Sequence, residues 1–181
     1  MTVDLLPGHG VRLPAPLPEL RFGLGEAEVR ALLAPHGELL PEGLRSTFVC
    51  GCRWALSFPL PGVTVTLCSD ELDRLRSVAV CRNPSDGRPA CPVGYLGIDL
   101  LGWPAHELVA ALRAEGLPVP DPVRGTLHHD PLHLYRHPAP RRPTAPGRKP
   151  RREGPFSFDA VSFHEGADPA TGAIDPAGGA A

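Results

Sequence analysis

The chain of 181 residues lacks segments that would place it in a membrane or direct it to secretion. No run approaches the roughly 18 consecutive apolar residues that a membrane span needs. The start, residues 1–8, has neither the basic stretch nor the apolar core of a secretory signal. The five cysteines are an odd number, which favours a reducing compartment over a disulfide framework. We therefore expect a cytoplasmic protein without membrane contacts.

Motifs that carry catalysis or bind cofactors are also missing. There is no G-x-S-x-G, no phosphate-binding glycine loop and no dinucleotide fingerprint. His106-Glu107 has no second histidine one helical turn later, so it is not a metalloprotease signature. These absences lead us to expect no enzyme and no cofactor.

The cysteines do not follow the common metal spacing. Cys50-Gly51-Cys52 is C-x-C, and Cys81 and Cys91 lie far enough downstream to complete a four-thiolate zinc site. However, Cys68 and Cys81 fall within apolar runs, where a free cysteine acts as a small hydrophobic residue. The sequence therefore favours buried or incidental cysteines over a metal site.

Lysine is almost absent, and the basic charge is concentrated in one segment. Lys149 is the single lysine, and the segment from Arg136 to Arg152 carries a charge of +7, which leaves −9 for the remaining residues. Five prolines in this segment predict an extended loop, residues 136–152, between the last two strands. One interpretation is a tether for nucleic acid or an acidic protein surface. A solvated loop is favoured, because no aromatic side chains are interleaved to stack on bases. The basic residues are Arg136, Arg141, Arg142, Arg148, Lys149, Arg151 and Arg152.

A helical segment occurs twice, at a constant offset of 79 residues. Residues 22–37 align without a gap to residues 101–116, with identities that include Gly23 and Gly102, Glu28 and Glu107. A stripe of apolar residues predicts one buried face on each helix, formed by Val29, Leu32 and Leu33 in the first and by Leu108, Ala111 and Leu112 in the second. Gly37 and Gly116 are expected to end the two helices in the left-handed conformation that favours glycine.

Strand-like runs follow each helix in the same order. The sequence predicts an α+β fold with a duplicated β-α-β-β-β unit, in which two helices cover one face of an antiparallel sheet. A single domain, residues 1–164, would contain pseudo-repeats of about residues 7–82 and 93–164, and residues 165–181 are predicted to be a disordered tail. The predicted strands are 19–22, 54–58, 63–67 and 75–80 in the first half, and 95–99, 126–129, 132–135 and 156–163 in the second.

The second half carries a histidine-rich hairpin. A two-residue turn at Asp130-Pro131 would pair His128 with His133, while leucines at 127, 132 and 134 face the core. His128, His133 and Tyr135 would then lie on the opposite face. Two adjacent imidazoles can bind a divalent metal or titrate near neutral pH. A solvated strand face without metal is favoured, since no third ligand has suitable spacing.

Short motifs carry a resemblance. The run Pro7-Gly8-His9-Gly10-Val11, followed by residues 20–24 and 26–33, resembles the strand–helix start of a two-repeat α+β family of actinobacterial proteins of uncharacterised function. More distantly, the architecture is similar to the helix-and-sheet repeat of the β-lactamase inhibitory protein and of the small lipoprotein of the outer-membrane assembly machine. The resemblance implies a binding module whose partner is another protein.

Two classes of function follow. The first is a protein-binding module, of immunity or inhibitor type, with another protein as its partner. Its candidate binding residues are Trp54, Trp103, Tyr135, Arg141, Arg142, Arg148, Lys149, Arg151 and Arg152. The alternatives are a small metal-dependent hydrolase that uses His128 and His133, and a nucleic-acid-associated protein that binds through residues 136–152.

Overall fold

The computed structural model describes residues 1–40, 43–83, 91–136 and 156–166. They form two α-helices and two β-sheets, which confirms the α+β class. Among these residues, no helix is long and apolar enough to cross a membrane.

The larger sheet has seven strands in the order β10-β11-β12-β7-β6-β5-β4, and every neighbouring pair is antiparallel. Its strands alternate between buried apolar and half-exposed polar side chains, the period of a sheet with one covered face. The strands are β4 (Arg45–Ser46), β5 (Ala55–Leu60), β6 (Val63–Ser69), β7 (Leu75–Arg82), β10 (Thr126–His129), β11 (Leu132–Tyr135) and β12 (Ala160–His164).

The smaller sheet has five short strands in the order β3-β2-β1-β8-β9. Its central pair, β1 and β8, is parallel, and the other pairs are antiparallel. Tyr95 and Phe22 each contact Phe163 of the larger sheet, with ring centroids 5.8 and 5.7 Å from its own. The strands are β1 (Val3–Leu6), β2 (Gly10–Arg12), β3 (Glu19–Arg21), β8 (Val93–Tyr95) and β9 (Ile98–Asp99).

The two helices are α1 (Glu26–Leu33) and α2 (Ala105–Ala114). The first begins at Gly25, whose backbone N–H donates to the Glu28 carboxylate at 2.8 Å. Buried side chains of both helices belong to the same hydrophobic cluster as the inward-facing side chains of both sheets.

A similar contact ties each helix to the larger sheet. Gly25, the residue before α1, forms a β-bridge with Arg74, the residue before β7. In the same way Pro104, the residue before α2, forms a β-bridge with Ser157, shortly before β12. In the smaller sheet, β1 is the central strand, with hairpin β2–β3 on one side and hairpin β8–β9 on the other. Since β2 is antiparallel and β8 is parallel to β1, these two strands run in opposite directions.

The arrangement of strands differs from the predicted one in three places. The chain forms two sheets where the sequence predicts one. The second sheet is built around β1 and β2, which the sequence does not predict as strands. Residues 95–99 are a hairpin, not one strand, with Leu96 and Gly97 in the turn at positive φ. The last predicted strand starts late, at Ala160, and within residues 156–159 only Ser157 forms a β-bridge, to Pro104.

The first helix also differs from its expected details. Leu32 is 40 % exposed, whereas Val29 and Leu33 are buried, so the apolar stripe is narrower than predicted. Pro35 cannot donate the next helical hydrogen bond, and the chain continues as a 3₁₀ segment, Ala34–Leu39. Gly37 therefore lies inside that segment without a positive φ, while Gly116 has φ +84° after α2 as predicted.

Candidate functional site

The side of the seven-stranded sheet that faces away from the core is a broad surface of small side chains, which we call the outer face. Paired residues on β5–β7 and β10–β12 form three rows across this face, two with six positions and one with four. Most residues of opposite parity on the same strands are buried; the exceptions are Arg76, Arg82 and His129. The rows are Pro59, Thr64, Cys81, Ala160, Tyr135 and Thr126; Ser57, Thr66, Ala79, Ser162, His133 and His128; and Ala55, Cys68, Ser77 and His164.

None of these sixteen positions on the six described strands carries lysine, arginine, aspartate or glutamate. The solvent side of an antiparallel sheet is usually rich in charged side chains, which also discourage unwanted pairing. Here the charge begins at the margin, where Arg45 of β4 lies next to Ser57. The outer face is therefore unusual in charge, although most of its side chains carry a hydroxyl group or an imidazole.

Three imidazoles lie together at one end of the outer face. The ring centroids of His128 and His133 are 4.8 Å apart, and those of His133 and His164 are 5.1 Å apart. Tyr135 adds a fourth ring, edge-on to His128 at 5.9 Å. The hydroxyl of Ser162 hydrogen-bonds Nε2 of His164 at 3.1 Å. We call His128, His133 and His164 the histidine row.

The environment disfavours the charged form of two of these rings. Partial burial lowers the pKa of His133, and the neighbouring His164 and His128 lower it further. Burial also lowers the pKa of His164, with a smaller contribution in the same direction from Arg76. Asp130 acts in the opposite sense on both rings. At neutral pH the uncharged forms of His133 and His164 are therefore favoured.

The hairpin that carries the histidine row follows the predicted register. His128 pairs with His133 and Leu127 with Leu134, and the leucines are buried. The rings pack edge to face, and no group of three or more His, Cys, Asp or Glu side chains in the described ranges could hold a metal ion. The structure thus brings the predicted pair together without adding a ligand set to it.

The two tryptophans have different environments. Trp54 is buried, and its indole N–H donates to the backbone carbonyl of Asp73 at 3.2 Å, so its expected role as a binding residue is corrected to a core role. Trp103, shortly before α2, is 43 % exposed. Tyr135 lies on the outer face, half-buried.

The basic candidates mostly fall outside the described residues. Of the segment 136–152, the structure describes Arg136, whose guanidinium lies 4.9 Å from the centre of the Phe156 ring. The predicted tail, residues 165–181, is described only through Gly166. The candidates outside the described ranges are Arg141, Arg142, Arg148, Lys149, Arg151 and Arg152.

The cysteines lie in separate places, with one exception. Cys81 is on the outer face, and the Cys91 thiol contacts the Met1 carbonyl oxygen at 3.3 Å beside the smaller sheet. Cys52 and Cys68 are the exception: burial and, after it, the nearby Cys52 raise the pKa of the Cys68 thiol to about 12. A cleft of about 550 Å³ is lined by Gly51, Ser69, Asp70, Glu71, Leu72, Arg76, Ser77 and His164.

Sequence reasoning missed His164 and the hydroxyl-bearing centre of the outer face. A signal for the centre was present, because Thr64 and Thr66 alternate with buried valines in β6. His164 gave no local signal, since it joins the histidine row only through pairing of β12 with β11 and β7.

Comparison of this chain with known proteins adds no further constraint on the site: no protein-family model, no curated protein and no solved structure matches it.

Proposed function

We propose that this chain is a protein-binding module, not an enzyme, and that the outer face of its seven-stranded sheet receives a partner protein. The observation that carries the proposal is the set of sixteen positions, three of them (Ala55, Cys68 and Ala160) buried, without a lysine, arginine, aspartate or glutamate. Cores of protein interfaces are depleted in charged residues for the same reason, since desolvation of a charge opposes association.

The side chains on the outer face also lose little conformational entropy on binding. Serine, threonine, alanine, tyrosine and histidine have few rotatable bonds, so little side-chain freedom is lost when a partner covers them. Tyr135 and the histidine row combine an apolar ring with a polar atom, as do the aromatic residues enriched at interfaces. The centre, around Thr66, offers hydroxyl groups that can donate or accept hydrogen bonds.

Its size favours a compact interface. Six strands about 4.8 Å apart and three rows about 6.7 Å apart cover on the order of 500–600 Å². A standard interface buries about 800 Å² on each partner. We therefore infer that the contact extends past the outer face, across Arg45 of β4 and onto the adjoining loop, residues 47–53.

A duplicated scaffold would explain how the chain builds this surface. Matching bridges from Gly25 to Arg74 and from Pro104 to Ser157, and the balanced strand order around β1, support two related units. In this interpretation each unit contributes a hairpin, a helix and three strands, and both helices lie on the side opposite the outer face. β5–β7 and β10–β12 then meet at the pairing of β7 with β12.

The experiment uses two matched substitutions. Thr66→Arg places a long cation in the centre of the outer face, and Thr2→Arg makes the same change beside the smaller sheet. A photo-reactive amino acid at position 66, with the same amino acid at position 2 as the control, first captures the partner in cells, and the purified pair is then reconstituted. We expect Thr66→Arg to weaken the reconstituted complex at least tenfold, because the guanidinium must be desolvated, and Thr2→Arg to leave it unchanged.

Two outcomes would refute the proposal. One is capture from position 2 but not from position 66. The other is a reconstituted complex whose affinity is unchanged by Thr66→Arg while the variant protein remains folded by circular dichroism.

A further inference from the structure

The histidine row crosses three neighbouring strands at one end of the outer face. His128 lies on β10, His133 on β11 and His164 on β12. The ring of His133 is the middle one, with its centroid 4.8 Å from that of His128 and 5.1 Å from that of His164. Histidine is the side chain whose charge ordinarily changes between about pH 5 and 8, and at these distances a proton on one ring opposes a proton on its neighbour.

The groups beside the row offer little compensation for added protons. Asp130, in the turn between β10 and β11, favours the protonated forms of His133 and His164. One carboxylate balances at most one proton, so a second proton on these rings has no counterpart in it. Tyr135 of β11 contributes an aromatic ring, edge-on to His128.

At the β12 end, the row meets the cleft that contains charges of both signs. His164 and Arg76 line this cleft together with Asp70 and Glu71. Oδ2 of Asp70 lies 3.9 Å from Nη1 of Arg76, so this carboxylate already faces a cation. Burial and, less strongly, Arg76 lower the pKa of His164, and together they outweigh the opposite effect of Asp130. The surroundings therefore favour an uncharged ring at this position too.

We propose that the histidine row makes binding of the partner protein pH-dependent, so that the outer face binds with its imidazoles uncharged and releases the partner as they take up protons. Because this regulation concerns the same surface, it rests on the proposed function. A partner that covers an imidazolium removes its hydration, and none of the sixteen outer-face positions supplies a carboxylate to pair with it. Protonation also makes both ring nitrogens donors, so a ring that accepts a hydrogen bond from the partner loses it.

The direction of the effect follows from the protons that the free protein holds and the complex excludes. Because the pKa values of His133 and His164 are lowered from 6.5, both rings are mostly uncharged at pH 7.5. Below those pKa values, each excluded proton raises the dissociation constant by up to about tenfold for each unit of pH. We therefore expect nearly constant affinity between about pH 7 and pH 8, and at least about a tenfold loss between pH 7.5 and pH 5.5.

The test uses the full-length protein and the partner captured at position 66, with dissociation constants measured at pH 7.5, 6.5 and 5.5. The wild-type complex should weaken at least about tenfold over this range. A triple variant, His128→Gln, His133→Gln and His164→Gln, should weaken less than about threefold, because glutamine is polar but does not titrate. His9→Gln removes an exposed histidine between β1 and β2 of the smaller sheet and should retain the full pH dependence.

NMR titration of labelled histidine rings measures the same linkage directly. The pKa values of His133 and His164 should be lower in the complex than in the free protein, and values that do not fall on binding would overturn the proposal even if the triple variant fails to bind. Constant affinity from pH 7.5 to 5.5, a tighter complex at pH 5.5, or unchanged pH dependence in the triple variant would overturn it as well. Those three results leave the outer face as the binding surface, which Thr66→Arg tests separately. Capture of no partner from position 66 would overturn the proposed function and the pH regulation together.

Discussion

Trp54, the residue before β5, and Ser69, the last residue of β6, are joined by three hydrogen bonds. The Ser69 hydroxyl accepts from the Trp54 N–H at 2.8 Å and donates to the Trp54 carbonyl at 3.1 Å, and the Ser69 N–H donates to the same carbonyl at 3.0 Å. Ser69 is also the one buried polar residue among the described positions. Its side chain therefore takes part in the pairing at the start of β5, where the loop of residues 47–53 ends.

Ser69→Ala should destabilise the fold by about 1–3 kcal/mol, because it leaves the buried Trp54 N–H without an acceptor. Urea unfolding would measure the change in free energy. Ser46→Ala is the matched control, since Ser46 is exposed and bonds only to the exposed Arg30 guanidinium; its expected cost is within about 0.5 kcal/mol. Equal effects in the two variants would contradict a structural role of the Ser69 hydroxyl.

Three leucines on the helices allow the cost of alanine substitution to be compared between buried and partly exposed positions. Leu33→Ala and Leu112→Ala should each cost about 2–5 kcal/mol, since both side chains are fully buried and leave cavities. Leu32→Ala, one position from Leu33 and largely solvent-exposed, should cost less than about 1 kcal/mol. Thermal or urea unfolding distinguishes these values, and a large loss in Leu32→Ala would contradict the observed orientation of α1.

Features with a local cause were predictable from the sequence. The His128–His133 hairpin has its register set by a two-residue turn and by alternating leucines, and the structure confirms both. Both helices are confirmed at nearly the expected positions because their apolar residues recur with helical spacing.

Features that depend on distant pairing were not predictable. β1 has four residues, and its partner β8 starts 90 positions later, so neither strand has a local signal strong enough to identify it. The same reason hides His164, whose neighbours in the histidine row come from other strands. Trp54 was misassigned because composition alone does not distinguish a buried indole from an exposed one.

Gly37 and Gly116 occupy the same place in the sequence repeat but should respond differently to alanine. Gly116 has φ +84°, where a side chain costs about 1–2 kcal/mol. Gly37 has no positive φ and no atom within 4 Å of the position that a methyl group would take. Gly37→Ala should therefore be neutral or stabilise by about 0.4–1 kcal/mol. Unfolding midpoints compare the two, and equal losses would show that the helices end in the same way after all.

The histidine row should make stability depend on pH in a defined direction. The pKa values of His133 and His164 lie below 6.5 in the folded protein, so the unfolded chain binds more protons between those values and 6.5. The free energy of unfolding should thus be nearly constant between about pH 7 and pH 8 and fall as the pH drops below 6.5 and through the folded-state pKa values. The carboxyl group of Asp70, whose pKa is lowered from 3.8, acts only in a more acidic range.

Urea unfolding at pH 7.5, 6.5 and 5.5 would measure the slope, which His133→Gln and His164→Gln should each reduce. A rise in stability on acidification would contradict the expected direction and show that the rings gain a proton in the folded state.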